Sequence, residues 1–137
     1  MAKAMLFKAK SVKPLHVFLS AVHDKASEFG FRIRHIFDMG NVFRERGVKV
    51  DEAFRVYSIM LCSFEGAYKS MQKNPERAAV LLQPKQVLVH ETAQGLELHY
   101  LPFPREFIKD VLPQDDAFAD GLGQACERIR ELITACA

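Results

Sequence analysis

Two histidines and one cysteine stand out by type and spacing: His90, His99 and Cys62. His90 lies in Val87-Leu-Val-His-Glu-Thr92 and His99 in Leu96-Glu-Leu-His-Tyr-Leu101, on either side of Ala93-Gln94-Gly95. Alternating apolar runs around a glycine turn predict a β-hairpin, with Gly95 supplying the positive φ. A loop of two or four residues about Gln94-Gly95 sets His90 directly opposite His99, with Cα atoms roughly 4.5 Å apart. Imidazoles at that separation can bind a transition metal or a haem edge, given a third ligand from elsewhere. The competing reading is a solvated cross-strand pair, or one buried in a dimer contact. An odd-length loop would shift the register and dissolve the pair.

Cys62 ends an apolar strand and precedes Ser63-Phe64-Glu65-Gly66, so its sulfur falls near the start of a helix. Unpaired N–H groups at such a position favour a thiolate and attract anions. Two roles follow: ligand contact together with His90 and His99, or a reactive catalytic or redox thiol with Glu65 nearby. Free cysteine is equally at home as a small buried hydrophobe. Cys126 reads as helix-face packing and Cys136 as an exposed tail thiol. His16 and His23, two helical turns apart, cannot share an ion without outside ligands. The basic residues from Arg32 to Arg55 alternate with acids and read as a solvated face, not a nucleic-acid footprint. No phosphate-binding glycine loop, nucleophile elbow or HExxH motif is present.

The elements that must position these groups follow from periodicity. Residues 4–11 alternate as an opening strand. Leu15, Leu19, Val22, Ala26 and Phe29 form the stripe of a first helix, entered at Pro14 and closed by Gly30. Phe31, Ile33, His35 and Phe37 share one face of a second strand, after which Asp38 caps a short helix over 39–46. Residues 50–62 give a third strand, apolar on both faces and therefore central. A helix from Ser63 ends at Asn74-Pro75, because the residue before proline leaves helical geometry. The hairpin follows, then a short helix over 105–112 and a long one from Asp115 or Asp116 to about Thr134.

Composition bounds the class. The chain has 137 residues, 49% hydrophobic and 26% charged, enough for one domain with a real core. A formal charge of +2 is too small to argue for nucleic acid or an anionic membrane. The start is interrupted by charge and lacks the apolar core of a signal peptide, and no stretch is long enough for a membrane span. Three cysteines without CxxC spacing indicate neither a disulfide framework nor a zinc knuckle, so a reducing cytoplasm is the expected setting.

Several segments in order, Glu28-Phe-Gly-Phe-Arg32, the strand ending at Cys62, Asn74-Pro-Glu76 and Leu81-Leu-Gln-Pro-Lys-Gln-Val-Leu-Val89, resemble the pattern of the family called domain of unknown function 302. The resemblance spans roughly Met5 to Leu112. It implies an α/β sandwich on an antiparallel sheet, often dimeric, with no established activity. Ser63-Phe64 stands where that family commonly has Asn-Pro, and Gln83 where it has leucine. Lys85-Gln86 occupies a region where many members carry another cysteine. Of any thiol pair the family uses, this chain keeps only Cys62.

The expected protein is an α+β, two-layer sandwich. A mainly antiparallel sheet of four to five strands has helices packed on one face, with a domain over 1–112 and a C-terminal helical extension over 113–137. The expected function is that of a cytoplasmic, homodimeric binding or accessory protein, leaning away from catalysis. It would hold a small ligand, a transition metal or haem near His90, His99 and Cys62. The alternative is a thiol-based redox protein or enzyme using Cys62.

Overall fold

The computed structural model describes residues 5–137. Five strands, β1 (Phe7–Ser11), β2 (Arg32–Asp38), β3 (Val56–Cys62), β4 (Lys85–Thr92) and β5 (Gly95–Tyr100), pair antiparallel in the order β1-β5-β4-β3-β2. The described residues also form six α-helices: α1 (Leu15–Lys25), α2 (Met39–Glu45), α3 (Phe64–Lys73), α4 (Ala78–Leu81), α5 (Arg105–Val111) and α6 (Asp116–Cys136). The α+β expectation therefore holds. The predicted opening strand reached back to Ala4, which lies outside the described residues. No helix among those described is long and apolar enough to cross a membrane.

Period-two alternation sends Ile59, Leu61, Val87, Val89, Leu96, Leu98 and Tyr100 to one side of the sheet. There they pack against Phe18 and Val22 of α1 and Cys126, Ile129, Leu132 and Ile133 of α6. The predicted α1 stripe omitted Phe18, which is fully buried. Gly30 (φ 85) closes the 3-10 turn Ala26–Phe29 that extends α1, and Asp38 accepts from the Asn41 N–H at the start of α2. A smaller apolar cluster joins Val80, Ile108, Leu112, Phe118, Ala119 and Leu122, so the first half of α6 holds α4 and α5.

Three local expectations change. The third strand begins at Val56 rather than Val50. In β2, Ile33 pairs with Leu61 but His35 with Met60, leaving Arg34 as an extra, bulged residue. One inserted residue inverts the alternation, so Ile33 faces the core while His35 and Phe37 face the other way. Cys136 is no exposed tail thiol. The last helix runs to it, its side chain is 0% exposed, and burial pushes the thiol pKa up. Lys13 Nζ donates to the Cys136 carbonyl at 2.7 Å and Lys25 Nζ to that of Ala135 at 3.1 Å. Two ammonium groups thus satisfy carbonyls that a helix C-terminus leaves unpaired.

Candidate functional site

The sheet face opposite the core carries Val56, Met60, Leu88, His90, Glu97 and His99, all half-buried. The hairpin loop is two residues, Ala93-Gln94, with Thr92 registered against Gly95. His90 therefore opposes Glu97 and His99 opposes Leu88, so the two histidines are diagonal rather than directly opposite. Displacing an even loop by one residue moves the register by two and keeps the face. The rings still meet, with centroids 4.5 Å apart at 51°. Burial lowers the His90 pKa, and a charge on His99 lowers it further against the opposing pull of Glu97, so neutral imidazole is favoured there. His90 Nε2 is buried without a hydrogen-bond partner. His99 Nε2 lies 3.9 Å from a Glu97 carboxylate oxygen. Among the described residues, no group of three or more His, Cys, Asp or Glu is arranged to hold a metal ion.

Cys62 sits elsewhere. It is six positions along β3 from Val56, the residue registered with His90, which is about 20 Å at strand rise. The structure brings His90 and His99 together and leaves Cys62 at the opposite end of the sheet. There the half-buried Cys62 and Ser63 and the exposed Glu65, Gly66, Lys69 and Arg32 line an open cleft of about 580 Å³.

A second cavity of about 370 Å³ shares Phe31, Ser63 and Gly66 with that cleft. Its apolar wall includes Phe31, Leu81, Phe118, Leu122 and Ala125. Every ionisable side chain on it is basic: Lys73, Arg77, Lys85 and Arg128. Arg77 is already engaged, with Nε and Nη2 each donating to the Asp115 carboxylate at 2.7 Å. Lys73, Lys85 and Arg128 have no ion-pair partner among the described residues. Arg128 lies over the Phe31 ring, 5.8 Å from its centroid. Lys85 shares the core-facing alternation with Val87 and Val89, which aims its stem between the sheet and α6. Burial lowers its pKa, opposed by charge on Cys62 and Cys126.

Sequence reading passed over Lys85 and Arg128. The available signal was a lysine in phase with two core valines. Arg128 gave none, because Phe31, over whose ring it lies, is distant in sequence.

A match to the model of the family described as "Domain of unknown function DUF302" extends over residues 7–136. The chain belongs to this family. The match includes α6, beyond the reach of the resemblance at Leu112. The fold is similar to a crystal structure described as that of an uncharacterised conserved DUF302 protein from Bacillus stearothermophilus. The TM-score is 0.65 at 14% identity, covering 96% of this chain and 94% of that one. That likeness shows a shared fold. No curated protein matches the chain.

Proposed function

We propose that this DUF302 protein is a cytoplasmic small-molecule-binding protein whose ligand is an organic anion with an apolar body. The supporting observation is the 370 Å³ cavity in which three cations lack an acidic partner among the described residues. Lys73 is exposed, but Lys85 and Arg128 are half-buried, and unpaired charge held partly out of water raises the free energy of the empty protein until an incoming anion relieves it. The apolar wall offers the remaining affinity and selects against small inorganic ions. A ligand longer than the cavity would extend into the adjoining cleft past Ser63 towards Cys62.

Calorimetric titration with phenylacetate, octanoate and their neutral amides tests this reading. The acids are expected to bind one to one and to raise the melting temperature by mass action. Arg128→Ala and Lys85→Met should each weaken them at least tenfold. Equal binding of acids and amides, or unaffected variants, would overturn it.

One observation favours a second reading at the hairpin. The orphaned His90 Nε2 beside His99 suits a divalent transition metal, with further ligands from solvent or from a second copy across the open sheet face. Elemental analysis of purified protein should then find metal near one equivalent, lost in both His90→Ala and His99→Ala. Metal-free protein that stays empty after incubation with zinc, copper and nickel would dispose of this reading.

A further inference from the structure

Lys85 raises a question that simple anion binding does not answer. A cation whose only duty was to hold a carboxylate would do well as arginine, which is always charged and grips bidentately. Lysine differs in one respect: its neutral amine is a nucleophile. The neutral form is favoured where the side chain is partly desolvated and surrounded by other cations.

Lys85 meets the first of these conditions, being half-buried and partly desolvated. It lines the cavity with Arg128, Lys73 and Arg77, against an apolar wall and with no carboxylate among the lining groups. The titratable groups acting on it are Cys62 at the end of β3 and Cys126 on α6, while Arg128 on α6, Lys73 on α3 and Arg77 after α3 line the same cavity. Arg77 is neutralised by Asp115, and Arg128 rests over Phe31, so Arg128 is the fixed cation left free to hold an anion. The Arg128 guanidinium and the partly shielded Lys85 amine line one open cavity with an apolar wall. That pairing fits a molecule carrying both a carboxylate and a carbonyl.

We infer that Lys85 captures small oxo acids as a reversible Schiff base, with the carboxylate held by Arg128 and the side chain against Phe31, Phe118 and Leu122. In this step Lys85 Nζ, as the free amine, adds to the carbonyl carbon, forming the C–N bond while the C=O π pair moves to oxygen. The oxygen takes one proton from the former amine and one from solvent and leaves as water. The nitrogen lone pair closes the C=N bond, and the one proton still on nitrogen makes the product the iminium. No electron is transferred and no co-reactant is needed. The inference rests on the anion-binding reading of the same cavity and goes beyond it by naming the carbonyl chemistry.

Borohydride trapping provides the test. The full-length protein is incubated with phenylpyruvate, pyruvate or glyoxylate and limiting sodium cyanoborohydride, then analysed by intact mass and peptide mapping. The expected result is a single reduced adduct, on Lys85, at least tenfold above any other lysine. It should be absent in both Lys85→Arg and Lys85→Met, and at least tenfold slower in Arg128→Gln. A neutral aldehyde of similar size, phenylacetaldehyde, should show no such selectivity.

Parallel titration with phenylpropionate, which has no carbonyl, separates the two ideas. If it binds while oxo acids leave no preferred adduct on Lys85, covalent capture is wrong and anion binding stands. If neither class of acid binds, both fail. Adducts spread over surface lysines overturn the inference even where the variants fold poorly, because that result is read on the unmodified protein.

Discussion

Replacing Asp115 with alanine is expected to lower the unfolding free energy by about 3–5 kcal/mol, the range for breaking a buried ion pair from one side. Asp115 and Arg77 have side chains only 11% and 12% exposed. The carboxylate accepts from Arg77 Nε and Nη2, from Asn74 Nδ2 at 2.9 Å and from the Phe118 N–H at 3.3 Å. The last contact caps α6, and the others tie the segment after α3 to that cap. Removing the carboxylate leaves a guanidinium pressed against the Phe118 ring without its counter-charge, 5.2 Å from the centroid.

Asp115→Asn retains capping ability and should recover about 1 kcal/mol of the loss. Asp116→Ala, one residue on and solvated, should stay within about 0.5 kcal/mol. Urea midpoints at constant m decide among these. The Arg77 hydrogen bond, chiefly, holds the Asp115 carboxyl well below the usual carboxylate range. The pair's contribution is therefore complete above the unfolded aspartate pKa of about 3.9 and fades as pH falls below it. Asp115→Ala should flatten that acid limb of the stability curve. An unchanged limb would mean that other carboxylates carry it. Because Arg77 and Phe118 also wall the cavity, ligand affinity should fall with stability.

Gly95→Ala is the other substitution expected to cost heavily. Gly95 opens β5 at φ 129, a conformation that costs an L-residue about 1–3 kcal/mol. A Cβ there would stand 2.6 Å from the Ser11 carbonyl oxygen, so the end of β1 would have to move. Gly47 gives the matched comparison, with φ 82 and open space around its missing Cβ. Gly47→Ala should show the conformational cost alone, and Gly95→Ala that cost plus the collision. Melting temperatures should fall by roughly 5–10 °C for Gly95→Ala. Amide exchange should accelerate along β1 in that variant and not in Gly47→Ala. Equal losses in both would mean that β1 accommodates the methyl group.

What the sequence made legible was local. Gly30 and Asp38 mark helix boundaries through their own chemistry, and the alternation of Val87, Val89, Leu96 and Leu98 announces the hairpin and its buried face. Where the outcome depended on a single inserted or displaced residue, the pattern was silent. Nothing in Arg34 signals a bulge, yet it turns His35 and Phe37 from the core to the opposite face. Gly95 drew the predicted turn one residue too far along, although the chain reverses at Ala93-Gln94. His90 and His99 kept a common face because a displaced even loop preserves parity. Cys136 was misjudged because a helix can stay ordered to its end when lysines from α1 and the segment before it bond its carbonyls. The cavity was the least readable feature. Phe31, Lys85 and Arg128 come from β2's approach, β4 and α6, and only the packing of α6 on the sheet gathers them.

The bulge in β2 has a bearing on how copies of this protein can meet. β2 is a border of the sheet, and a border strand with free N–H and C=O groups can template a strand from another molecule. Arg34 interrupts that ladder, and Arg32 and Arg34 are both exposed. A neighbouring chain that tried to continue the sheet there would lose register at the bulge and bring its own arginines against these. Growth of a continuous intermolecular sheet is therefore obstructed on this side.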